Sequence, residues 1–63
     1  MNVAKNLREY REKAGLTQAE LAKKINIAQS MIAHIERGAK SPTLFLAEEL
    51  ANALGISLSE LIK

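Results

Sequence analysis

Residues 17–38, TQAELAKKINIAQSMIAHIERG, decide how this chain is read. Thr17 and Glu20 have the T-x-x-E spacing of a capping box, in which the hydroxyl accepts an unpaired backbone N–H and the carboxylate reaches back to the cap residue. Leu21, Ala22 and Ile25 follow as one apolar stripe, and Ile32 and Ile35 make a second at helical spacing. Between the stripes the chain must reverse at Asn26, and asparagine is among the few residues that tolerate a positive φ. Ala22 is small enough for a second helix to cross closely over the first. The stretch predicts two short amphipathic helices joined by a tight turn, the second closed by Gly38.

Working outward, Gly15, Gly38 and Gly55 all fall at expected helix ends. Helix 1 is expected from Val3 to Ala14, with Val3, Leu7, Tyr10 and Ala14 on one face. Helix 2 covers Gln18 to Lys24 and helix 3 covers Gln29 to Arg37. Ser41-Pro42-Thr43 opens a fourth helix, capped by Thr43, which runs to Leu54 with Leu44, Ala47, Leu50, Ala51 and Leu54 turned inward. Ser57 caps a last turn, Leu58 to Ile62, and S-L-S-E repeats the capping-box spacing with Glu60. No strand-forming run, linker, repeat or low-complexity segment interrupts this order. Residues 1–63 read as one all-α domain of five helices that contains a helix-turn-helix.

Composition narrows the function classes. A chain of 63 residues buries only about 60% of its unfolded surface. With 48% hydrophobic but 3% aromatic residues, its core must be aliphatic. There is no Cys, Asp or Trp, and His34 is the only histidine. A zinc site, a carboxylate–histidine triad or a cysteine nucleophile cannot be assembled from these parts, so neither an enzyme nor a cofactor is expected. The amino-terminal MNVAKNLREYREK lacks an apolar targeting core and no stretch approaches membrane-spanning length, so a cytoplasmic location is expected. Net charge is +2, unevenly spread: residues 1–40 hold eight Lys and Arg against four Glu, whereas residues 41–63 hold one Lys against three Glu. One end is basic, as a surface meeting phosphate would be.

The same segment, with LREYREKAGLTQAELA leading into it and SPTLFLAEELANALGISLSELI following, resembles the XRE/Cro type of helix-turn-helix, the class of phage repressors and Cro proteins. The resemblance covers nearly the whole chain. It implies a compact, lambda-repressor-like domain whose third helix enters the major groove of DNA. Two positions depart from the family pattern. Asn26 replaces the usual turn glycine, and Ala28 stands where a Ser or Thr cap is usual, which should cost helix 3 about 1 kcal/mol and fray its start.

Helix 3 is expected to expose Gln29, Ser30, Ala33, His34 and Arg37. Gln29 has the amide chemistry to bond adenine bidentately, and Ser30 suits either base or phosphate. Ala33 is short enough for close approach and for contact with a thymine methyl. His34 can donate to a guanine acceptor or a phosphate, or stand as a solvated surface residue. Met31 suits either packing against the helix 3–4 loop or contact with a sugar edge. The resemblance makes Gln18, at the start of helix 2, a phosphate contact; Arg37, Lys40 and Ser41 close the same edge and position without reading sequence. For Lys23 and Lys24, solubility is the plainer role. The resemblance also implies that Arg11 and Glu36 form a buried ion pair joining helix 1 to helix 3.

Phe45 falls on the solvent stripe of helix 4, which fits either a contact between copies or incomplete burial. Leu58, Leu61 and Ile62 are the other candidates for that contact. The reading that follows is a sequence-specific, double-stranded DNA-binding regulator, a repressor acting as a homodimer on a palindromic operator, without a membrane segment or small-molecule ligand domain. Two alternatives stand beside it: an antitoxin- or restriction-controller-like regulator with a partner protein, and a helix-turn-helix used only for protein–protein interaction.

Overall fold

The structure is a computed structural model that describes residues 2–63. Five helices follow in order: α1 (Val3–Lys13), α2 (Gln18–Lys24), α3 (Gln29–Glu36), α4 (Leu44–Leu54) and α5 (Leu58–Ile62). No strand occurs among the described residues. Each boundary lies within one residue of its expected place.

Local chemistry explains these boundaries. Four helices end in the same pair of backbone bonds, which satisfies carbonyls the helix leaves open. After α1, Gly15 donates to Glu12 and Leu16 to Arg11; after α2, Asn26 donates to Lys23 and Ile27 to Ala22. Gly38 and Ala39 close α3 in this way, and Gly55 and Ile56 close α4. Asn26 adopts φ +59°, the only positive φ outside glycine among the described residues. At the helix starts, Thr17–Glu20 and Ser57–Glu60 both form complete capping boxes, and Thr43 Oγ1 accepts the Leu46 N–H at 3.1 Å.

Ala28 has the extended backbone of a cap residue but supplies no side-chain bond. Helix α3 nevertheless begins at Gln29, where the Met31 N–H donates to the Ala28 carbonyl at 3.0 Å. This backbone turn and the burial of Ile32 support the start of the helix where the side-chain cap is missing.

Leu7, Leu21, Ala22, Ile32, Ile35, Ala47, Leu50, Ala51 and Leu61 are buried and form one aliphatic core. Helix α2 packs on α3, while α1 contacts α3, α4 and α5. Ala22 is 2% exposed, as a small residue beneath a crossing helix should be. Asn6 fastens α5 to α1 by donating its Nδ2 to the Leu61 carbonyl at 2.9 Å.

Three apolar positions differ from the sequence expectation. Ala14 is exposed because the chain leaves α1 there, as its C-cap. Leu44 is 65% exposed, since the inward stripe of α4 starts one turn later at Ala47 and the first turn projects past the core. Leu61 is fully enclosed, because it turns toward α1 from a five-residue helix; it cannot be a contact between copies. Phe45 is 70% exposed, as its stripe requires.

The polar exception in this interior joins three helices. Arg11 Nε lies 2.7 Å from Glu36 Oε2 and Nη2 lies 3.1 Å from Oε1. Arg11 Nη1 donates to the Leu16 carbonyl at 2.8 Å, in the turn between α1 and α2. The two side chains are 11% and 5% exposed. Burial pushes the Glu36 carboxyl upward, but the hydrogen bonds from Arg11 and Gln18 and the positive charge of Arg11 together hold it below its ordinary value.

Arg11→Met is expected to lower stability by about 3–5 kcal/mol, because Glu36 is left buried without a compensating charge. Adding Glu36→Leu should recover much of that loss, though the Leu16 carbonyl still lacks its donor. Thermal melts in which the single variant matches the wild type would show that the pair is a solvated surface contact rather than a buried one. In the other direction, Ala28→Ser supplies the missing hydroxyl at a backbone already extended. It should add about 1 kcal/mol, visible as a rise of roughly 4–8 °C in Tm; an unchanged Tm would mean α3 needs no side-chain cap.

Candidate nucleic-acid interface

Helix α3 has one face that is committed to the core and one that is not. Ile32 and Ile35 are buried against the other helices. Gln29, Ser30 and His34 are exposed on α3, and Arg37 is exposed at its C-cap. The structure therefore presents amide, hydroxyl, imidazole and guanidinium groups along one short, rigid element. Ala33 is half-buried, at the margin between the two faces. Met31 packs against the core, which favours its packing role over a contact at the exposed face.

The exposed residues continue beyond the helix. Lys40 and Ser41 are both exposed in the loop between α3 and α4. Neither Arg37 nor Lys40 enters an ion pair among the described residues, whereas on α1 Lys5 pairs with Glu9 at 3.9 Å and Arg8 with Glu12 at 3.5 Å. The charge of α1 is thus largely neutralised locally, and that of the α3 end is not. Lys24 Nζ lies 3.4 Å from the Ala53 carbonyl at the end of α4, so it has a partner within the fold as well as a solubilising charge.

Gln18 is held in a way its position in the sequence does not disclose. Its Nε2 donates to Glu36 Oε1 at 3.1 Å, which ties the first residue of α2 to the last residue of α3. Gln18 is half-buried and lies beside the residue that precedes Arg37. The Gln18–Glu36 bond joins residues 18 apart in sequence, too far for helix periodicity to signal; only the expected Arg11–Glu36 pair pointed to a buried acceptor there.

A groove of about 360 Å³ opens beside this surface, lined by Val3, Ala4, Ile35, Pro42, Leu44 and Ile62 and edged by Lys40 and Ser41. Leu58 and Ile62 are each half-buried, and Leu58 packs against the core. Of the residues expected between copies, Phe45 alone is freely exposed, and Leu44, which the helical stripe predicts inside, joins it as an exposed neighbour. No described helix is long and apolar enough to cross a membrane.

The helix-turn-helix family model HTH_3 matches residues 7–61. The chain is 39% identical over 62 residues to the immunity repressor protein of Bacillus phage phi105, a match that covers 98% of this chain and 43% of that protein. It therefore spans less than half of the phage repressor's length. Among solved structures, the restriction-modification controller protein C.AhdI from Aeromonas hydrophila superposes with a TM-score of 0.89 at 36% identity, covering 94% of this chain and 89% of that one. The biofilm regulator SinR, solved in complex with DNA, superposes with a TM-score of 0.91 at 27% identity over 97% of this chain and 98% of its own. The protein belongs to the HTH_3, XRE-type helix-turn-helix family of DNA-binding transcriptional regulators.

Proposed function

We propose that this protein binds double-stranded DNA sequence-specifically as a transcriptional repressor, and that two copies load onto a roughly palindromic site. The observation that supports this most is the face of α3: exposed Gln29, Ser30 and His34 opposite a buried Ile32–Ile35 stripe. On this reading Gln29 contacts adenine through its amide, Ser30 and His34 contact base edges or phosphates, and Ala33 meets a thymine methyl. Gln18, Arg37, Lys40 and Ser41 meet phosphates and set the register of the domain on the duplex. Selection of bound sequences from a random duplex pool tests the reading and returns the site.

Affinity should fall steeply with salt. Lys40→Ala should weaken all sequences alike and reduce the log–log salt slope by about 0.9, the share of one neutralised phosphate. Gln29→Ala should lose about 1–3 kcal/mol on the selected site and relax preference at one base position. An equal loss on selected and unrelated duplexes would confine Gln29 to the backbone. Absence of binding to every duplex at low salt would favour a protein-interaction module instead.

The dimer is proposed as a DNA-bound state. A stable protein–protein interface takes about 800 Å² from each partner, roughly a fifth of the 4008 Å² surface. The large apolar side chains exposed here are Leu44 and Phe45, a patch too small for that alone. The free protein is therefore expected to sediment as a monomer, and two protomers to load cooperatively on a two-half-site duplex. Phe45→Asp should remove the cooperativity and leave half-site affinity intact. One protomer saturating the full site would overturn the dimer but not DNA binding.

A further inference from the structure

The hydrogen bond between Gln18 and Glu36 has a consequence for the proposed phosphate contact. Glu36 is a carboxylate that can only accept hydrogen bonds, so the Gln18 amide must turn its nitrogen, not its oxygen, toward it. Glu36 in turn cannot rotate, because Arg11 grips both of its oxygens at 2.7 and 3.1 Å. Arg11 itself is anchored by the Leu16 carbonyl at 2.8 Å. The Nε2 group has two hydrogens, and the bond to Glu36 at 3.1 Å engages one. The second N–H engages no acceptor among the described residues, and Gln18 remains partly accessible.

We propose that Glu36 is a positioning residue for DNA binding: through the chain Arg11–Glu36–Gln18 it fixes the Gln18 amide so that its remaining N–H is presented to a backbone phosphate oxygen. This rests on the DNA-binding reading above and names how one of its contacts is prepared. A glutamine free in solvent would have to give up rotamer freedom on binding; here the fold has already restricted it. The same bond keeps the amide oxygen, which a carboxylate would repel, from turning toward Glu36. If the three residues served architecture alone, Gln18 would merely fill a lone pair of Glu36, and its loss would not alter DNA affinity.

The test is a thermodynamic cycle on the selected duplex. Gln18→Ala is measured in the wild type and in the Arg11→Met/Glu36→Leu background, with melts to establish that each variant is folded. In the wild type, Gln18→Ala should weaken every sequence about three- to tenfold, the equivalent of one hydrogen bond. The salt slope should stay unchanged, because no cation is lost. In the double-variant background the same change should have less than about a twofold effect, since the unanchored amide is no longer prepared. Equal losses in both backgrounds would show that Gln18 needs no help from Glu36, and no loss in the wild type would show that it meets no phosphate; either overturns the proposal.

If the double variant is unfolded, Glu36→Gln replaces it, and the side-chain amide of Gln18 is followed by NMR relaxation in the free protein. The wild-type amide should be as ordered as the backbone and the variant's should not; identical order would overturn the proposal. Single neutral methylphosphonate substitutions in the duplex supply an independent arm. One position should weaken the wild type and leave Gln18→Ala unaffected, and absence of any such position again counts against it. A wild type that binds no duplex removes the DNA-binding reading itself, which these outcomes keep separate from the role of Glu36.

Discussion

A carboxylate taken out of water has to find donors, and Glu36 finds three: two N–H groups of Arg11 and one of Gln18. These come from α1 and α2, while Glu36 itself ends α3. A fourth bond runs from Arg11 to the carbonyl of Leu16, in the turn between α1 and α2. Aliphatic contacts are non-directional and would tolerate α3 rotated by some degrees about its axis. The charge network does not tolerate this, because a guanidinium must meet both carboxylate oxygens in one plane. What the network contributes is therefore geometric. It sets the angle at which the exposed face of α3 leaves the core, and the hydrophobic contacts then supply the burial.

Between α2 and α3 a second constraint acts at short range. Asn26 at φ +59° lets Asn26 and Ile27 close the carbonyls of Lys23 and Ala22, and so redirects the chain while keeping those two carbonyls paired. Ala22, almost completely buried, keeps the two helices close. Both features act in the direction that the Arg11–Glu36–Gln18 network demands, so local and long-range preferences agree.

This division explains which parts were legible in the sequence. Capping boxes at Thr17 and Ser57, the Thr43 cap and the glycine stops depend on neighbours within five residues, and the five helices lie within a residue of where these signals predict them. The exposed set Gln29, Ser30 and His34 followed from the period of Ile32 and Ile35. Arg11 and Glu36 are 25 residues apart; no periodicity joins them, and the pair was anticipated only through the family resemblance. Leu44 and Leu61 were misplaced for a related reason. A helical stripe says which residues share a face but not where the opposing surface ends, so it cannot tell that α4 overhangs the core at Leu44. Nor can it tell that a single turn of helix, α5, lies under α1 closely enough to enclose Leu61. The bond from Asn6 to the Leu61 carbonyl was equally invisible, since any exposed-looking asparagine on α1 has the same sequence context.

The size of the domain limits what two copies can share on DNA. Its Cα extents are 24 × 23 × 19 Å, and packed elements add about 8–10 Å between facing backbones. Two touching copies then have their centres roughly 27–34 Å apart, whereas half-sites one helical turn apart lie about 34–36 Å apart. The proposed arrangement therefore brings the copies together only along a long axis, edge to edge, with little surface between them. A small apolar patch such as Leu44 and Phe45 suits that geometry, and a broad interface does not. Weak contact is sufficient there, because DNA holding one copy raises the local concentration of the second site's occupant. Dimerisation then becomes a property of the correct half-site spacing rather than of the free protein, which adds to specificity what a single eight-residue α3 cannot supply alone.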